Sequence, residues 1–213
     1  MSAMTPSSSS RADANRRHIL DTALSELLRD PDASMDQIAR AAGVVRRTVY
    51  GHFPSREALI STLVDGAVEA LSEADGVWSG TEEGDPAGSD PAEAFARSVL
   101  AVWEVADRYR LLVALAQRTV TVQGIRDRLA PLRAHKVRLL QRGLDEGVFT
   151  SPLPAPALAY VHEQMLFAVL EAVNDGLADA AEAGPAATVT VLMSAGVSAG
   201  RAAELVGRLS GRG

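Results

Sequence analysis

The sequence predicts an all-helical protein of two unequal domains, the first built around a helix-turn-helix. Three observations lead there. Apolar residues recur at helical spacing along most of the 213-residue chain, and there is no alternation of strand and helix patterns of the kind a parallel sheet needs. The stretch Ser34 to Arg56 joins two short helical patterns through a single Gly-centred turn. A hydrophobic content of 47% is enough for a sizeable core in a chain too long for one small helical module.

Residues 1–12, MSAMTPSSSSRA, read as a disordered tail, with neither the basic nor the apolar region of a signal peptide. The first helix is expected from about Asn15 to Arg29, where Ile19, Leu20, Ala23, Leu24, Leu27 and Leu28 repeat at helical spacing. Asp30-Pro31-Asp32 ends it. Ser34 then opens the second helix, and Gln37 three residues later completes a capping box. Ile38 and Ala42 share one face, Ala39 is small enough for a close helix crossing, and Gly43 supplies the left-handed turn residue. Beyond the turn Val44 and Val49 are expected to point inward, leaving Arg46, Arg47, Thr48 and Tyr50 outward. That outward set suits a major groove: guanidinium groups pair with guanine edges, and a hydroxyl or phenol reaches a phosphate or a thymine methyl. His52 and Arg56 follow where backbone contacts would set register.

The run IARAAGVVRRTVYGHFPSREALI resembles the N-terminal domain of TetR-family transcriptional regulators (TetR/AcrR type). Ile38, Ala39, Ala42, Gly43, Val44, Val49, Tyr50, His52, Phe53, Ser55, Arg56 and Leu59 fill the family's pattern. The resemblance implies DNA contact by Arg46, Arg47, Thr48, Tyr50, His52 and Arg56, and with Ser34 these are the candidate DNA-binding residues. It also implies a homodimer on a palindromic operator, and a helical C-terminal domain that binds a small-molecule effector and releases a repressor from double-stranded DNA. The chain departs from the pattern at Val45, where Ser or Thr is usual, so the recognition helix lacks a side-chain cap at a cost of very roughly 1 kcal/mol. Arg47 and Gly51 also depart from common choices.

Ser55 should cap a fourth helix from Arg56 to about Ala74, with Ala58, Leu59, Leu63 and Val68 inward. The DNA-binding domain is thus expected over 13–62, with this connecting helix reaching about 74, a Gly-rich and acidic loop over 75–89, and the second domain over 90–213. Asp90-Pro91-Ala92-Glu93 is a strong helix start, and Phe95, Val99, Val102, Trp103 and Ala106 then share a face. A short helix is expected over Leu111–Arg118 and a longer one from about Ile125 to Gly143. Its side bearing Arg126, Arg128, Arg133, Lys136, Arg138 and Arg142 reads as a solvated face. SPLPAP precedes a helix expected from about Pro156 to Ala183, apolar on nearly every side and hence buried on more than one. Tyr160, Glu163, Gln164, Phe167, Glu171 and Asn174 form one arc of it, and Leu158, His162, Met165, Val169 and Val173 the other. A last pair of short helices, broken at Gly196-Val197-Ser198, should end by about Leu209. Phe95, Trp103, His162 and Phe167 are the candidate effector-pocket residues, although aromatic residues at helical spacing, and a His on an apolar arc, more often belong to plain core.

The formal charge of −6 is unevenly shared. Residues 1–60 carry eight Arg against seven acids, whereas the remainder carries 13 basic and 20 acidic residues. An acidic C-terminal part repels DNA and favours the N-terminal end for it. No cysteine is present, which excludes disulfides and fits a cytoplasmic location. No apolar run reaches the length of a membrane span. The four His are scattered, so no metal or cofactor is expected. Gly196-Val197-Ser198-Ala199-Gly200 matches the hydrolase elbow G-x-S-x-G after a run, TVTVLM, that a strand would allow. The triad order asks for a His after the Ser, and the last His is His162, so an enzyme is not expected. A DNA-binding protein without an effector remains the alternative; it would share every feature of residues 15–60 and lack an enclosed cavity.

Overall fold

The computed structural model describes residues 8–76, 89–119 and 122–211 and is helical throughout them, with no strand among the described residues. Among the described residues eleven helices run α1 (Ser8–Arg29), α2 (Met35–Ala41), α3 (Arg46–His52), α4 (Arg56–Ala74), α5 (Pro91–Arg108), α6 (Arg110–Thr119), α7 (Val122–Arg128), α8 (Ala130–Asp145), α9 (Ala155–Asn174), α10 (Ala180–Ser194) and α11 (Ala199–Leu209). They form two compact units, 1–66 with 111–122 and 67–110 with 123–213.

The first unit is small and tightly filled. Ile19, Ala23 and Leu27 of α1 are buried with Ile38, Ala39 and Ala42 around α2, Val49 of α3, and Leu59, Ile60 and Leu63 of α4. α1 starts at Ser8, seven residues before the expected start, so the segment read as a tail is helical from that point and 1–7 lie outside the described residues. Neither Gly nor Pro interrupts the chain between Pro6 and Pro31, so nothing stops the helix sooner.

In the second unit α5, α8, α9, α10 and α11 enclose a core of Phe95, Val99, Leu140, Phe149, Leu158, Val191, Leu192 and Leu205, among others. A second cluster joins Trp103 and Ala106 of α5 to Leu170 of α9 and Ala183 and Ala187 of α10. The indole of Trp103 lies on Gly184, where an added Cβ would come within 2.3 Å of the ring. α5 begins as its sequence predicts, with the Asp90 carboxylate accepting from the Ala92 amide and Pro91 in the first turn.

Two expected helices divide. The helix placed at 125–143 breaks at Leu129 into α7 and α8, because Pro131 has no amide proton and its ring would crowd a continuing turn. The helix placed at 156–183 ends at Asn174; Gly176 then takes φ 72° and Asp179 restarts the chain by capping α10 through the Ala181 amide. The run TVTVLM lies within α10 and is helical, so the strand of a hydrolase elbow is absent there. Gly196 (φ 92°) closes α10, and a Cβ added there would come within 2.4 Å of the Thr150 carbonyl oxygen. Ser198 stands at the N-cap of α11 but makes no side-chain cap bond. Residues 77–88 of the expected loop lie outside the described residues.

Candidate nucleic-acid interface and helical cavity

The helix-turn-helix is held by its own capping and turn chemistry. Ser34 Oγ accepts from the Gln37 amide, and the Gln37 side chain accepts from the Ser34 amide at 2.7 Å. Ser34 is therefore occupied as a cap, with its hydroxyl on Gln37 as well. Gly43 has φ 64°, and the Val44 amide donates to the Ala39 carbonyl, which closes the turn. α3 has Val45 at its N-cap with no side-chain bond, as its residue type requires. Val49 is fully buried and anchors α3, while Val44 is only half-buried.

α3 turns Arg46, Arg47 and Tyr50 to solvent, with Thr48 and His52 half-exposed. Arg46 is engaged within the motif: its guanidinium pairs with Asp36 at 2.8 Å and lies 5.1 Å from the centre of the Tyr50 ring. Arg56 has a second task that its position in the motif did not reveal. Its guanidinium donates to the Ala33 carbonyl at 3.0 Å and to the Pro31 carbonyl, tying the α1–α2 connection to the start of α4. Arg16, on α1, stacks over Phe53 at 5.2 Å.

The second unit contains a cavity of about 80 Å³ between α5, α8 and α9, with Leu71 of α4 also on its wall. All four candidate pocket residues, Phe95, Trp103, His162 and Phe167, line it. So do three charged residues, Arg133, Lys136 and Glu163, that were not among the candidates. Arg133 and Glu163 make a two-pronged pair, each contact 2.9 Å long. Lys136 Nζ donates to Asp75 Oδ1 at 2.7 Å and to Ser98 Oγ, while the Asp75 side chain is wholly shielded from solvent. Burial pushes the Lys136 ammonium below the usual lysine range, against the pull of the Asp75 carboxylate. The basic side of α8 is thus not simply solvated: Arg133 and Lys136 turn inward, and from α7 Arg126 stacks 4.8 Å from the Tyr160 ring. A signal was present in the pattern, since Lys136 is the chain's single lysine and lies one helical turn after Leu132 of the apolar stripe.

His162 is 4% exposed, and its burial lowers the imidazole pKa from 6.5 to about 4. Its Nε2 is 2.7 Å from Ser194 Oγ, its ring sits 5.5 Å from that of Phe95, and its Nδ1 is buried with no protein partner. It is therefore a half-satisfied core histidine.

Residues 19–63, the span that carries the capping box, the Gly43 turn and α3, match the family described as bacterial regulatory proteins, tetR family. Over that span the chain is similar to the tetR family. The uncharacterised helix-turn-helix regulator TtgW of Pseudomonas putida is 44% identical over 52 residues, which is 24% of this chain and 39% of that one. The chain therefore spans well under half the length of this curated relative. Solved structures share the fold over most of the chain. LfrR of Mycobacterium smegmatis, in complex with proflavine, superposes with a TM-score of 0.62 at 22% identity over 85% of this chain and 96% of its own. FadR of Bacillus subtilis, in complex with stearoyl-CoA, gives 0.66 at 15% identity over 84% and 98%. RolR with the ligand resorcinol gives 0.64 at 20% identity over 93% and 95%.

Proposed function

We propose that this chain is a tetR-family, sequence-specific DNA-binding transcriptional regulator, a homodimeric repressor released from a palindromic operator by a small-molecule effector. The observation that carries the reading is α3, a short helix pinned by a fully buried Val49 that presents Arg46, Arg47, Thr48 and Tyr50 together to solvent. Arg46 and Arg47 read guanine edges, Thr48, Tyr50 and His52 meet the phosphates beside them, and Ser34 and Arg56 hold the frame. A single recognition helix makes few base contacts, so a two-fold pair on half-sites one or more helical turns apart supplies the specificity. α9 and α10 support pairing: Val161, Ala168, Ala186, Thr190 and Met193 are exposed there, with Gln164, Glu171 and Glu182 beside them on the same stripes. The apolar cavity between α5, α8 and α9 favours the effector-responsive reading over a ligand-blind DNA binder, since a compact core has no need of one. Effector binding then lowers operator affinity by a coupling free energy of order 1–3 kcal/mol.

Mobility shift on the chain's own upstream promoter, with unrelated DNA as competitor and salt near physiological, tests the first step. Selective retardation at a palindrome supports the regulator; equal retardation of all DNA defeats it. Arg46→Ala and Arg47→Ala should each cost about 1–3 kcal/mol of operator affinity and relax specificity at one base position.

A further inference from the structure

We propose that the cavity takes an uncharged, single-ring aromatic molecule bearing a hydrogen-bond donor, a phenol in chemical class, whose O–H is seated on His162 Nδ1. The proposal rests on the effector reading above and names the kind of molecule that reading requires.

Three observations converge on it. The first is charge. Each cation on the cavity wall already holds its own carboxylate, Arg133 with Glu163 and Lys136 with Asp75. An anionic or cationic guest would have to break one of these pairs or remain buried without a counter-charge, and either is costly in a low-dielectric site. A neutral guest meets no such penalty.

The second is the direction of the hydrogen bonds around His162. Ser194 has a single hydroxyl proton, and that hydroxyl lies 2.8 Å from the Val191 carbonyl oxygen, which can only accept. With that proton on Val191, the imidazole supplies the one it shares with Ser194 and Nε2 carries the hydrogen on its 2.7 Å contact with Ser194 Oγ, an assignment that the nitrogen NMR below tests. A neutral imidazole with hydrogen on Nε2 has a bare lone pair on Nδ1. Its lowered pKa keeps the ring neutral near pH 7. Nδ1 is buried and without a protein partner, and the residue lines the cavity. A buried acceptor in that state favours a guest that donates over one that is purely apolar or only accepts.

The third is size and surface. The cavity of about 80 Å³ has room for a small guest. Phe95, Trp103 and Phe167 supply faces and edges for it.

The full-length protein tests this with three probes of like shape, para-fluorophenol, para-fluorotoluene and para-fluorobenzoate, titrated by fluorine NMR and calorimetry at neutral pH. The phenol should bind about tenfold more tightly than the toluene, and the benzoate more weakly than both. In His162→Phe, with folding checked by circular dichroism, the phenol should lose its advantage while the toluene still binds. Nitrogen NMR of the wild-type imidazole needs no variant and should report hydrogen on Nε2 and a bare Nδ1. Toluene binding as tightly as phenol, benzoate binding tightest, or hydrogen found on Nδ1 would each overturn the donor requirement and leave a cavity for effectors intact. Binding of none of the three would remove the proposal and the cavity's support for the effector reading together. If instead phenol binds as stated but does not loosen an established operator complex, the guest chemistry stands and effector-driven release fails.

Discussion

Replacing Lys136 with Met takes the ammonium away from a carboxylate that water does not reach. The Asp75 side chain is 0% exposed and that of Lys136 12%, and the two are joined at 2.7 Å. Without Lys136, Oδ1 keeps only the Ser98 hydroxyl, and the His135 ring nitrogen at 4.0 Å from Oδ2 is beyond hydrogen-bond range. Removing one member of a buried pair costs about 3–5 kcal/mol, because the survivor is left charged and unmatched. For a chain of this size each kcal/mol moves Tm by roughly 2–4 °C, so a fall of about 6–20 °C is expected in Lys136→Met. Urea and thermal unfolding at neutral pH measure both quantities. The double variant Asp75→Asn with Lys136→Met removes both charges and keeps the volume, so it should return to within about 1 kcal/mol of the wild type. The reasoning is refuted if Lys136→Met loses less than about 1 kcal/mol, or if the double variant is no more stable than the single one.

Acid should destabilise the second unit through His162. Above pH 6.5 the ring is neutral folded and unfolded and contributes nothing; between pH 6.5 and about 4 only the unfolded chain takes up the proton, so stability falls with falling pH, by up to on the order of 3 kcal/mol. His162→Phe should flatten that part of the stability-against-pH curve. Arg56→Ala should weaken DNA binding across all sequences and also cost about 1–3 kcal/mol of folding stability, since it frees the Ala33 and Pro31 carbonyls; unchanged denaturant midpoints would assign Arg56 to phosphate alone. Val45→Ser supplies the missing cap of α3 and should stabilise the first unit by about 0.5–1 kcal/mol, read in the unfolding midpoint. Gly184→Ala drives a methyl into the Trp103 indole and should cost about 1–3 kcal/mol, with a shift in Trp fluorescence.

The local chemistry of the first unit could be read residue by residue. Ser34 with Gln37, Gly43, Val49 and the Ser55 cap each act within four residues of chain, and each sits as its spacing predicts. The same holds for Asp90-Pro91 at the start of α5. What depended on distant partners was not legible. Arg56 bonds carbonyls 23 and 25 residues away, and Lys136 reaches Asp75 across 61 residues, separations that periodicity does not address. Helix ends suffered for a related reason. Pro131 and Gly176 sat inside runs whose apolar spacing continued straight through them, and the backbone preference won over the pattern. Phe95, Trp103, His162 and Phe167 were picked by residue type and line one cavity, whereas the charge balance around them emerged only from the pairs Arg133 makes with Glu163 and Lys136 with Asp75.

Arg46 meets the solvent already matched to Asp36 and resting on Tyr50. If the chain searches for one operator among a genome of decoys, as proposed above, this changes the search. A bare guanidinium adheres to every phosphate it passes, and each such stop lengthens the survey. With a carboxylate beside it, the residue grips the generic backbone less and must exchange Asp36 for a base edge before it reads, an exchange that a guanine in the right place rewards and a wrong step does not. On the proposed reading, selectivity then comes partly from short dwell times on the wrong sequence, and Asp36 helps set them through its pair with Arg46.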